Sequence, residues 1–184
     1  MPVEGQIKGQ DMLGYVIGTE AGSTDELLAG LAERLLAQGR RLAGAVQINR
    51  DVPGQARCAM DLRLLPSGAT VTISQSLGPL ARGCRLDPAG LEYAVAAAET
   101  ALEAAPELLI VNKFGKQEIA GRGFRGVIGE ALMRGIPVLV GLNAQNLEGF
   151  LGFAGAFAEP VAPDAARLAD WCACHLAPDR EPQI

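Results

Sequence analysis

Two glycine-containing segments of this 184-residue chain carry the residue types that can hold an anion. The first, Gly18-Thr19-Glu20-Ala21-Gly22-Ser23-Thr24-Asp25, follows a short apolar run and precedes an amphipathic one. A phosphate-binding loop stands in that position, with glycines turning amides toward phosphate, a lysine reaching the terminal phosphates and a hydroxyl holding magnesium. Set on Gly18, the pattern G-x-x-x-x-G-K-[ST] puts Ser23 at the second glycine, Thr24 at the lysine and Asp25 at the hydroxyl. Set on Gly22, it is one residue short and still has no lysine. Ser23-Thr24-Asp25-Glu26 reads instead as a capping box, Ser23 and Glu26 answering each other's backbone amides, and the carboxylates of such a cap repel phosphate. Gly18, Gly22, Ser23 and Thr24 are therefore expected to form a degenerate phosphate loop serving as a structural turn. The alternative is a nucleotide site that draws its lysine from elsewhere.

The second segment concentrates positive charge. The chain has thirteen Arg and three Lys, and two of the lysines, Lys113 and Lys116, fall in one four-residue stretch. Downstream, Gly121-Arg122-Gly123-Phe124-Arg125-Gly126 opens an expected helix with no Ser, Thr, Asp or Asn to cap it. Amides left free there, with Arg122 and Arg125 beside them, make a ready oxyanion site. Together with Arg82 and Arg85, set against Glu118 and Asp87, these residues carry a net charge of +4 and leave −9 on the rest of the chain. An acidic protein that reserves a basic, glycine-rich pair of loops focuses a small anion. The bland reading is that these are surface charges paired with Glu118, Asp87 and their neighbours. The expected anion site comprises Arg82, Cys84, Arg85, Asn112, Lys113, Lys116, Gly121, Arg122, Gly123 and Arg125.

Other chemistry is weaker. Cys172, Cys174 and the single histidine, His175, are too close together on an expected helix for all three to face one ion, and zinc wants a fourth ligand, so no metal is expected. They read as idle thiols beside a core Trp171. Cys84, between Arg82 and Arg85, has the surroundings that lower a thiol pKa. Glu118 serves either as a base beside Lys116 or, more economically, as a partner for the basic cluster. No catalytic Ser-His or Cys-His pair is expected.

The elements that must position these loops alternate. Strands are expected at residues 13–17, 42–48 and 107–111 and at Pro137–Leu142, with a short one near Phe157. Helices are expected from about Asp25 to Gln38, from Pro88, capped by Asp87, to about Ala105, from about Arg122 to Arg134, near Gln145–Phe153, and at Asp164–His175. Residues 58–75 read as an antiparallel hairpin. This order predicts one α/β domain over residues 1–184, with frayed ends at 1–10 and 178–184. Its sheet is mostly parallel, with helices on both faces and the hairpin at an edge. Ligands of such sheets sit at the carboxyl ends of the strands, where both segments fall.

Net charge −5 and few aromatics argue against a nucleic-acid partner. The absence of a long apolar run argues against a membrane span, and with no apolar signal core a cytoplasmic protein is expected. Glycine and alanine richness would allow close helix contacts in a homodimer.

The stretches GCRLDPAGLE (83–92), LLIVNKFGKQEIAGRGFRGVIGEAL (108–132) and IPVLVGL (136–142) resemble a bacterial family, domain of unknown function 2478, often encoded beside molybdenum transport and molybdoenzyme genes. The resemblance runs from about residue 13 to Trp171. That family in turn is similar to THEP-type nucleoside-triphosphatases, which have a phosphate loop, a hairpin after the second strand and an Asp-Glu-x-Gly-x-x-Glu motif. The resemblance implies a three-layer P-loop-NTPase-like fold. It aligns the motif with Asn112-Lys113-Phe114-Gly115-Lys116-Gln117-Glu118, so the acidic pair that would hold magnesium has become Asn112 and Lys113. Losing the loop lysine and both acids puts hydrolysis in doubt, because that chemistry is almost entirely charge placement. The expected function is binding of a small oxyanion, molybdate-like or phosphate or sulfate, in a role tied to molybdenum metabolism. Molybdenum transport or molybdoenzyme assembly proteins are the implied partners. The alternative is a divergent nucleoside-triphosphatase or nucleotide-binding protein.

Overall fold

The computed structural model describes residues 12–54, 58–75 and 86–178. Seven strands form one sheet: β1 (Leu13–Val16), β2 (Leu42–Arg50), β3 (Ala59–Leu65), β4 (Thr70–Thr72), β5 (Leu108–Asn112), β6 (Val138–Gly141) and β7 (Ala158–Pro160). Their order is β4-β3-β2-β5-β6-β1-β7. The five strands from β2 to β7 along that order are parallel, while β3 and β4 add the antiparallel hairpin at one edge.

Alternation along the strands divides the core. Leu108 and Ile110 of β5 face one side with Val16, Val46 and Leu139, against helices α1 (Ser23–Ala37) and α6 (Ala165–His175). Leu109 and Val111 face the other, against α2 (Pro88–Leu102), α4 (Arg125–Met133) and α5 (Leu147–Ala154). A strand buried on both faces reads as a continuous apolar run, which is why ELLIV was legible. Asp87 caps α2 as expected, its carboxylate accepting the Ala89 N–H at 3.0 Å with Pro88 in the first turn.

Three boundaries differ from expectation, each for a local reason. Helix α1 starts at Ser23, because Gly22, with φ 78°, takes the left-handed conformation and is itself the N-cap. A short helix α3 (Lys116–Ile119) lies where a loop was expected, and α4 accordingly begins at Arg125 rather than Arg122. Helix α2 stops at Leu102, short of Ala105, which has φ 50°. Among the described residues no helix is long and apolar enough to cross a membrane. Arg82, Cys84 and Arg85, and the expected frayed ends apart from Pro178, lie outside the described residues.

Candidate functional site

The turn after β1 does not form the expected capping box. Ser23 is the first residue of α1, and its hydroxyl turns back into the loop, donating to the Glu20 carbonyl at 2.8 Å and accepting the Glu20 N–H at 3.3 Å. Thr24 Oγ1 accepts the Gly18 N–H at 2.7 Å and closes the loop on itself. No side chain caps α1. The start of this helix is therefore more open than Ser-Thr-Asp-Glu implied, because a left-handed glycine at the cap shifts the frame and puts Ser23 inside the helix.

The same shift turns Asp25 inward, where it is 4% exposed. Its Oδ1 accepts the Asn112 Nδ2–H at 2.8 Å and lies 3.3 Å from Lys113 Nζ, and its Oδ2 accepts the Asn49 Nδ2–H at 2.8 Å. Gln47 Nε2 donates to Asn49 Oδ1 at 2.9 Å. One polar chain thus runs from β2 through the first turn of α1 to the end of β5, at the carboxyl ends of the strands. Asn112, 1% exposed, has its amino group turned to Asp25, and its Oδ1 is left without a partner. A side chain on Gly141 would run into that oxygen, Leu28 and Thr24, so the neighbouring strand can carry only glycine there.

Sequence reasoning identified Asn112 and Lys113 but assigned Asp25 to a surface cap and passed over Asn49 and Gln47. The legible signal was a pair of amides two residues apart, on one face of β2, at the end of an apolar run.

The basic segment is arranged differently from expectation. Several amides before its helix are engaged: the Gly121 N–H donates to the Glu118 carbonyl, the Arg122 N–H to the Gln117 carbonyl, and the Phe124 N–H to Glu118 Oε1 at 3.2 Å. Glu118 Oε2 accepts the Gly115 N–H at 2.9 Å, so this buried carboxylate staples α3 to the start of α4. Burial pushes its carboxyl above the usual range, while the two amides pull the other way. Gly123, with φ 60°, packs directly on this carboxylate, where a β-carbon would collide with it. The Arg122 guanidinium binds Gln117 Oε1 at 3.0 Å. Arg125 donates to the carbonyls of Glu118 and Ile119 and lies over the Phe153 ring. Lys116 is exposed on α3. The structure brings Lys113 and Asn112 to Asp25, next to the loop of Gly18, Gly22, Ser23 and Thr24, whereas Arg122 and Arg125 are engaged with their own turn.

Elsewhere, Cys172 is buried, which pushes its thiol up to about 11 and keeps it protonated. His175 stacks on Trp171. Among the described residues no group of three or more His, Cys, Asp or Glu is placed to hold a metal ion.

A parallel sheet whose first strand runs through a glycine turn into an uncapped helix, beside the polar end of a central strand, has the architecture of the phosphate-loop nucleoside-triphosphatases. The solution structure of a human cancer-related nucleoside triphosphatase shares this fold, with TM-score 0.62 over 92% of this chain and 100% of that one, at 18% identity. The chain belongs to the protein family of unknown function DUF2478, which it matches over residues 13–171. It is also 35% identical over 147 residues to the molybdenum import ATP-binding protein ModC 2 of Bradyrhizobium diazoefficiens. The matched stretch is 80% of this chain and 16% of that protein.

Proteins of this fold hold a divalent ion between the loop hydroxyl and an acid on the strand. The residues here do not fit one. Both oxygens of Asp25 are taken, an ammonium lies at 3.3 Å, and Asn112 offers its N–H rather than its oxygen.

Proposed function

We propose that this chain is a phosphate-loop-like protein that binds a small oxyanion without hydrolysing a nucleotide, and that it does so in molybdenum metabolism. The observation that carries this reading is the contact of Lys113 with Asp25 in the first turn of α1. It supports an anion seat at the Gly18–Thr24 turn, with the cation supplied from the residue that follows β5 in place of the missing loop lysine. An uncapped helix start behind that turn favours negative charge. The same contact argues against turnover, because phosphoryl transfer relies on a metal ion and an acid or polar group that orients water. Asp25, the buried carboxylate of the first turn, is engaged by the protein's own donors, accepting from Asn49 and Asn112 and lying against the Lys113 ammonium. The molybdenum assignment rests on the likeness to ModC 2, and molybdate and phosphate share the tetrahedral oxyanion shape such a seat takes.

Calorimetric titration with molybdate, tungstate, sulfate and ATP tests the proposal. Heat with a tetrahedral oxyanion, lost in Lys113→Ala, is the expected result. Magnesium-dependent ATP turnover abolished by Lys113→Ala would overturn it and favour a second reading, a divergent nucleoside-triphosphatase, which the fold and the likeness to an ATP-binding protein both support.

A further inference from the structure

We infer that the Lys113 ammonium is a built-in cation that replaces the divalent ion of this fold, so that the site takes its anion in the absence of metal. The part about the anion rests on the function proposed above; the part about the cation stands on geometry alone.

Three features of the site, all meeting at Asp25, agree. Lys113 Nζ lies 3.3 Å from Asp25 Oδ1, between the first turn of α1 and the end of β5, the two elements that supply metal ligands in phosphate-loop enzymes. Its side chain is 22% exposed against 5% for that of Asp25, so the lysine is the partner that meets solvent. The orientation of Asn112 is the second feature. A carboxamide binds a metal through its oxygen, yet Asn112 turns its amino group to Asp25 and leaves Oδ1 buried without a partner. An unsatisfied buried acceptor is unfavourable, and it persists because Asp25 accepts hydrogen bonds and cannot donate one. The donor set is thus arranged around an ammonium and a carboxylate that accepts from a carboxamide. Thirdly, Asn49 donates to the other oxygen of Asp25 from β2, so a second carboxamide presents its N–H to this carboxylate.

A permanent single charge has a consequence for ligand class. Triphosphates bring a magnesium ion that must be ligated, whereas a lone tetrahedral dianion needs only a cation and amide donors. The site therefore favours a free oxyanion over a metal-bound polyphosphate.

Two measurements decide the inference separately from the proposed function. Titration with Mn2+ alone should show no binding to the wild type and clear binding to Lys113→Glu, at least tenfold tighter, since the substitution removes the competing ammonium and adds a carboxylate. Lys113→Met serves if the glutamate variant does not fold, and should also bind Mn2+ more tightly than the wild type. Equal Mn2+ affinity in the wild type and the folded variant overturns the inference. Titration of the wild type with inorganic phosphate should give the same Kd in EDTA and in excess Mg2+, within about twofold; tenfold tightening by Mg2+ overturns it. If phosphate gives no heat in either buffer while the Mn2+ result holds, the built-in cation stands and the oxyanion function falls.

Discussion

Asn112 and Asp25, 87 residues apart in the chain, are joined by a buried hydrogen bond of 2.8 Å that ties the end of β5 to the first turn of α1. Through it the first turn of α1 is tied to β2 and to the end of β5: Asp25 is held by Asn112, Asn49 and Lys113 at once. In a hydrolytic relative of this fold the corresponding elements carry a lysine on the loop and acids on the strand. Here the acid is on the helix and the lysine directly follows the strand. A charge pairing thus links the two elements, with the acid on α1 and the cation just beyond β5.

Asp25→Ala should destabilise the protein by about 2–4 kcal/mol, because it leaves an ammonium and two carboxamides without their acceptor. The expectation is below that for a fully buried pair, since Lys113 retains some solvent. Asp25→Asn, which keeps the shape and one acceptor, should lose less. Urea denaturation measures both; a loss under about 0.5 kcal/mol for Asp25→Ala would mean the network has little energetic weight.

Glu118 has the opposite character, an acid whose carboxyl is pushed up by burial although two backbone amides hold its charged form. With a folded-state pKa above the unfolded one, its contribution to stability is fully present at low pH and declines as pH rises through the folded value. Glu118→Gln abolishes this titration and places an amino group against either the Gly115 or the Phe124 N–H. The variant should be less stable than the wild type by about 1–3 kcal/mol at pH 5, and its stability should vary less with pH above the usual carboxylate range. Urea midpoints from pH 4 to 8 check both; a wild-type curve rising more steeply with pH than the variant's would contradict the direction.

Much of the fold was legible in the residues. The ELLIV run at 107–111 announced the doubly buried strand that the structure places at Leu108–Asn112, Asp87-Pro88 announced a helix start, and the hairpin turned at Pro66-Ser67-Gly68. The site was less so, for identifiable reasons. Ser-Thr-Asp-Glu fits both a capping box and a first helical turn, and the choice was made by the left-handed conformation of Gly22, one residue outside the motif. The amides before α4 looked free because their partner, Glu118, belongs to a four-residue helix too short for any periodic signal. Asp25 meeting Asn112 and Lys113 is a tertiary contact between β1–α1 and β5, which no local spacing encodes.

Asp61 on β3 provides a second pH signature, of the usual sign. Burial opposes its charge, but hydrogen bonds from Arg50 at 3.1 Å and Thr72 at 2.8 Å, with the Arg50 charge, outweigh burial and hold its carboxyl below the usual range. A depressed folded pKa contributes stability that is present above the unfolded value, about 3.9, and is lost as pH falls through the folded one. Asp61→Asn should therefore be less stable at neutral pH and lose less on acidification, with the gap to wild type narrowing below about pH 4. Thermal melts at pH 7 and pH 3 read this out; a gap that widens in acid would refute the assignment.

The reversal of charge can also be tested by restoring half of the missing chemistry. Gly22 caps α1, so the residue that follows it, Ser23, is where a loop lysine would stand. Ser23→Lys removes only the bonds that the hydroxyl makes to Glu20 and adds a cation at the open helix start. Affinity for ATP should rise at least tenfold, because an ammonium there reaches the phosphates of a bound nucleotide. Hydrolysis should not follow, since Asn112 and Lys113 still stand where the strand would supply acids, and a lysine on the loop does nothing to orient water. Calorimetry and a phosphate-release assay on the single variant separate the two effects. Magnesium-dependent turnover in Ser23→Lys alone would show that the strand end is no obstacle to hydrolysis; tighter binding with no turnover would locate the loss of chemistry at Asn112 and Lys113.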